Sequence, residues 1–74
     1  MNIKINFGQR LKELRLLQGY SQEGFSHECN LDRTYIASIE NGKRNVSIEN
    51  IEKITIALNI SLANFFNTDD FNGN

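Results

Sequence analysis

Residues Ser21–Arg44 read SQEGFSHECNLDRTYIASIENGKR, and this stretch decides the fold. Two short helical segments flank a tight turn, and a basic loop closes it. Ser21 offers an oxygen to cap the first segment. Glu23 in its first turn suits the positive end of the helix dipole. Phe25 and Cys29 stand four apart and predict one inward face. Gly24 weakens this helix by about 1 kcal/mol relative to alanine, which makes it short and dependent on packing. Asn30-Leu31-Asp32 forms the turn, because asparagine tolerates positive φ better than other non-glycine residues. Leu31 is expected to tuck inward and Asp32 to cap the next helix, over positions 33–41. There Ile36 and Ile39 face inward, with Glu40 beside them. Arg33, Thr34, Ala37 and Ser38 face outward. Gly42 ends the helix, and Lys43-Arg44-Asn45 follows as a short basic loop.

Upstream, Phe7, Leu11, Leu14 and then Leu17 or Gln18 recur at helical spacing. Asn6 and Gln9 form a capping-box-like pair, so the first helix is expected over about 6–18, with residues 1–6 as an arm or ragged turn. Arg10, Lys12 and Arg15 lie off the apolar stripe. Gly19 terminates the helix. Downstream, Ser47 caps a fourth helix with a stripe of Ile48, Ile51, Ile54, Thr55 and Leu58, and Asn59 stops it. Ser61 caps a short fifth helix carrying Leu62, Phe65 and Phe66. The polar tail, 68–74, is expected to fray. No segment alternates as a strand would, and the chain has no proline. The fold class is therefore all-α, with five helices.

Seventy-four residues make a single domain, 1–74, with a core over about 6–67. Such a chain buries little, so pairing with a second copy would add useful burial. No apolar run approaches the roughly 18 residues of a membrane span. The N-terminus lacks the apolar stretch of a secretory signal. One cysteine cannot close an internal disulfide, which fits the cytoplasm. Net charge is −1, but it is uneven. Lys4, Arg10, Lys12 and Arg15 oppose Glu13 in the first twenty residues, whereas Glu49, Glu52, Asp69 and Asp70 oppose Lys53 after residue 45. Fields act over about 8–10 Å at physiological salt, so one basic face can serve a polyanion while the acidic end points away.

The outward face of the third helix has the chemistry to read base edges. Its first turn enters a major groove first. Arg33 there can grip guanine O6 and N7 with two hydrogen bonds, worth about 1–3 kcal/mol of discrimination. Thr34 brings a hydroxyl and a methyl, and Ser38 lies on the same face. Ser21 and Gln22 put polar groups and free N–H groups at a helix start, where a phosphate is held. Lys43, Arg44 and Asn45 form a second grip, with Arg44 able to reach a base or a phosphate.

On Gln22, Ser26, Asn30, Ile36, Ile39, Glu40 and Gly42 the chain resembles the phage-repressor-like (Cro/C1-type) helix-turn-helix family. On Leu31-Asp32-Arg33-Thr34-Tyr35-Ile36 and Ile39-Glu40-Asn41-Gly42-Lys43-Arg44-Asn45 it is similar to the controller proteins of restriction–modification systems. The resemblance spans about residues 7–66. It implies a homodimeric repressor or activator on double-stranded operator DNA, controlling its own gene and a restriction gene, with two dimers on one operator possible. Arg33, Thr34, Ser38 and Arg44 would read bases. Ser21, Gln22, Tyr35, Lys43, Asn45 and Ser47 would hold the backbone. Ile51, Leu58, Ile60, Leu62, Phe65 and Phe66 on the last two helices would pair the subunits. Glu23 and Asp32 are candidates for touching RNA polymerase. The family usually has alanine at Ser26 and glycine at Asn30; both replacements are small enough to keep the geometry.

Plainer readings compete at several positions. Arg33 could be a solvated surface arginine, and Lys43-Arg44 a solubility patch. Tyr35 could pack across the turn instead of meeting phosphate. Glu40 reads as structural, with Arg10 the natural partner on the first helix. His27 and Cys29 point to different faces and have no further ligand, so no metal site is expected. Cys29 reads as a small core residue. No phosphate loop or paired carboxylate suggests an enzyme, and no cofactor is expected. Phe65 and Phe66, being adjacent, are expected to split between the core and a partner. The other readings of the whole are an antitoxin-like protein-binding module on the same fold and a phage-type repressor unrelated to restriction–modification.

Overall fold

A helix begins where a side chain can satisfy its first free N–H groups, and that rule sets the element starts here. The structure, a computed structural model, describes residues 1–73. Asn74, the end of the expected tail, lies outside the described residues. The helices are α1 (Ile3–Leu17), α2 (Gln22–Cys29), α3 (Arg33–Glu40), α4 (Ile48–Ala57), α5 (Leu62–Phe66) and α6 (Asp69–Asn72). No strand occurs among the described residues.

All three serine caps form as read. The Ser21, Ser47 and Ser61 hydroxyls accept from the N–H groups of Gly24, Asn50 and Asn64 at 2.9, 3.2 and 3.0 Å. Asp32 stands at the cap of α3 without a side-chain bond. Asn30 turns the chain at φ 54°, and Asn59 ends α4 at φ 55°. The start of α1 differs from expectation. Asn2 caps it, accepting from Ile5 N–H at 3.2 Å. Asn6 instead lies inside the helix, which gains a turn.

The core gathers Phe7, Leu11, Phe25, Cys29, Ile36, Ile39, Ile54, Leu58 and Phe65. Gly8 is the closest seam between helices. A Cβ there would sit on the carbonyl oxygen of Ile39 and 3.0 Å from that of Glu40. Glycine thus lets the α1 backbone lie directly on the end of α3. Gly42 takes φ +74°, and a side chain there would also meet Ile5.

Several expectations are corrected. Arg15 is buried rather than off the stripe, and Leu17 is exposed in its place. Ile48 belongs to the expected inner stripe of α4 but stands 71 % exposed. The tail does not simply fray. Residues 69–72 form α6, and Phe71 stacks edge-on against Phe66 with centroids 5.0 Å apart. Phe65 and Phe66 both join one aromatic cluster, each tilted against Phe7 at 5.0 and 5.9 Å. Phe65 nevertheless fills the core while Phe66, between Phe7 and Phe71, stays half-buried, so the two do differ in burial as expected.

Candidate nucleic-acid interface

Helix α3 is fixed from behind by one buried ion pair. Arg15 Nε meets Glu40 Oε2 at 2.7 Å, and its side chain and that of Glu40 are 6 % and 3 % exposed. A second nitrogen of Arg15 donates to Glu40 Oε1 at 3.0 Å, and a third to the Tyr20 carbonyl at 2.7 Å. The fork geometry of arginine suits this planar pairing. The hydrogen bond with Glu40 raises the Arg15 pKa above its ordinary value, although burial pulls the other way. Arg15, not Arg10, is therefore the partner of Glu40. Arg10 pairs with Glu13 at 3.0 Å and donates to the Phe65 and Asn64 carbonyls at 2.8 and 3.0 Å. It clasps the end of α5, where free carbonyls favour a cation.

The same carboxylate orients the start of α2. Gln22 Nε2 donates to Glu40 Oε1 at 3.2 Å. One buried group thus positions both helices of the motif. In front of it, Arg33 and Thr34 stand exposed on the first turn of α3, with Ser38 half-buried one turn later. Neither ion pair among the described residues engages Arg33. The Ser21 and Ser47 hydroxyls serve as cap acceptors, which leaves the proton of each to donate elsewhere.

The loop after α3 is held close to it. Gly42 N–H and Lys43 N–H bond back to the Ile39 and Ser38 carbonyls at 2.9 and 3.1 Å. Lys43, Arg44 and Asn45 are exposed. Arg44 folds back, donating from Nε to Ser38 Oγ at 3.3 Å and lying 5.3 Å from the centre of the Tyr35 ring. The structure therefore brings Tyr35, Ser38 and Arg44 into one cluster beside Arg33 and Thr34 on the same helix. Glu23 and Asp32 are exposed in the flanking turns.

The six expected pairing residues do not form one surface. Leu58 and Phe65 are 1 % and 0 % exposed. They have no area left to give a partner, because the monomer's own core claims them. Ile51 and Phe66 line an apolar groove of about 290 Å³ with Phe7 and Val46. Ile60 lines a shallow depression with Ile56, and Leu62 is 44 % exposed. Ile56, 71 % exposed, was missed. It follows Glu52 by one turn, and an isoleucine on the polar face of an amphipathic helix was the available signal.

His27 is exposed and Cys29 buried, the two-face arrangement read from the sequence. Burial pushes the Cys29 thiol pKa up, which keeps the thiol protonated and inert. No group of three potential metal ligands occurs among the described residues. Nor is any described helix long and apolar enough to cross a membrane.

Comparison with known proteins matches this architecture. A helix-turn-helix family profile covers residues 11–65. The control protein C.MunI of a Mycoplasma species is 54 % identical over 66 residues, 88 % of this chain and 89 % of that protein. The crystal structure of the restriction–modification controller protein C.AhdI from Aeromonas hydrophila superposes with a TM-score of 0.85. It is 44 % identical and covers 89 % of this chain and 100 % of its own. The controller protein C.Esp1396I, crystallised as a tetramer with its natural 35 base-pair operator, superposes at 0.80 with 38 % identity, covering 85 % of this chain and 83 % of its own. The exposed first turn of α3, the cap-and-carboxylate support behind it and these similarities converge: the chain belongs to the helix-turn-helix family and, within it, to the controller proteins of restriction–modification systems.

Proposed function

We propose that this chain is a sequence-specific transcriptional regulator that binds operator DNA as a homodimer, controlling its own gene and a restriction–modification gene. It works in the cytoplasm as one domain, by binding rather than by catalysis. The observation that carries this reading is the free first turn of α3, Arg33 and Thr34, set between the Gln22 end of α2 and the Lys43–Asn45 loop. In this reading Arg33, Thr34, Ser38 and Arg44 meet base edges. Ser21, Gln22, Tyr35, Lys43, Asn45 and Ser47 hold phosphates and set the register. Glu23 and Asp32 stay free for RNA polymerase. Subunits pair through the exposed Ile56 and Leu62 and the half-buried Ile60, with Ile51 and Phe66 at the adjoining groove. Recognition helices about 34 Å apart would place half-sites one DNA turn apart. The tetramer of C.Esp1396I on its operator supports two dimers on one site.

A gel shift against the DNA upstream of the chain's own gene tests this. Binding should be specific and weaken steeply with salt as counterions are released. Arg33→Ala should lose about 1–3 kcal/mol on the operator and relax one position of it. An equal loss on random DNA would refute base reading by Arg33. Absence of binding at low salt would favour the antitoxin-like, protein-binding reading.

A further inference from the structure

Tyr35 is held from two sides. Its ring faces the Arg44 guanidinium at 5.3 Å, and its hydroxyl accepts from Asn50 Nδ2 at 3.1 Å. Arg44 Nε donates onward to Ser38 Oγ at 3.3 Å. Asn50 is half-buried on α4, and the Ser47 hydroxyl fixes its backbone N–H at 3.2 Å. Contacts therefore run from the capped first turn of α4, through Tyr35 on α3, to an exposed arginine on the loop between them. A guanidinium on such a loop would otherwise spread over many rotamers, and ordering it on binding costs entropy. Contact with an aromatic face limits that spread, provided the ring itself is fixed.

We propose that Asn50 is a positioning residue for DNA recognition: by fixing the Tyr35 hydroxyl it sets the ring on which Arg44 rests, so that Arg44 meets DNA already ordered. In this role Asn50 acts through the one N–H that it donates to Tyr35, without needing a contact to DNA. The consequence for binding rests on the reading given under Proposed function, whereas the ordering of Arg44 is a property of the free protein.

Proton NMR of the free protein and operator titrations together test this. Ring shielding should move the Arg44 δ-methylene upfield in the native chain. Asn50→Leu and Tyr35→Phe, which remove the same hydrogen bond from opposite ends, should both reduce that shift. If Asn50→Leu does not fold, Asn50→Ser serves, its side chain being too short to reach Tyr35. On the operator, Asn50→Leu should bind about five-fold more weakly, the size of ordering one rotamer-rich side chain on binding. Adding it to Arg44→Ala should cost clearly less than it does in the native chain, the remainder belonging to the phosphate contact of Tyr35. An unchanged Arg44 shift, or an equal loss with and without Arg44, would overturn the role assigned to Asn50. If the native chain binds no upstream DNA, the regulator reading fails, and the NMR shift alone decides whether Asn50 orders Arg44.

Discussion

Arg15 is buried one turn after Leu11, although the apolar stripe read from the sequence does not include it. The reason lies twenty-five residues away. Glu40 needs a buried partner, and Arg15 supplies two hydrogen bonds to it. The pair also removes Arg15 from the positive surface, so the basic character of the proposed DNA-facing side falls to the exposed Arg33, Lys43 and Arg44. Breaking one half of a buried pair strands the other charge, at about 3–5 kcal/mol. Arg15→Met should therefore lose about that much in urea unfolding, a large share of the stability of a small domain. Arg15→Met combined with Glu40→Leu should recover much of the loss, because no charge is left behind. A double variant as unstable as the single one would mean that packing, not charge, dominates at this site.

At the scale of elements, the seam between α1 and α3 sets the pose of the recognition helix. Gly8 permits contact of backbone with backbone, and Glu40 lies at the end of the same seam. Gly8→Ala should destabilise the fold by about 1–3 kcal/mol or more, as overpacking does. This comes despite the roughly 1 kcal/mol that alanine offers a helix interior. Thermal or urea unfolding measures it; a stabilised variant would show that the seam opens freely. The turn between α2 and α3 is more tolerant. Asn30 already takes the left-handed conformation there, so a glycine would fit equally well and at most add flexibility.

For the whole molecule, the question is which apolar surface is left after the monomer has built its core. Leu58 and Phe65 are consumed by that core, whereas Ile56 at the α4–α5 corner is not. Full burial of an isoleucine contributes about 1.5–3 kcal/mol, and about 1.4 kcal/mol is tenfold in affinity. Ile56→Glu should thus weaken dimerisation by at least about tenfold in analytical ultracentrifugation, with the helical content of the monomer unchanged. An unaltered dissociation constant would place the pairing surface elsewhere, and the groove formed by Phe7, Ile51 and Phe66 would be the next to test.

The all-α class, the turn at Asn30, the caps at Ser21, Ser47 and Ser61, and the exposed first turn of α3 were all legible in the sequence. Each depends on neighbours within about four residues: a cap and its N–H groups, or an apolar stripe at helical period. What needed the tertiary structure spans longer distances. The partner of Glu40, the contact of Gly8 with Ile39, the folding back of Phe71 onto Phe66 and the bond from Asn50 to Tyr35 join residues that no local pattern relates. The burial of Leu58 and Phe65, two of the expected pairing residues, was hidden for the same reason. Helical period shows which residues share a face, but only packing decides whether that face meets the monomer's own core or remains for a second chain.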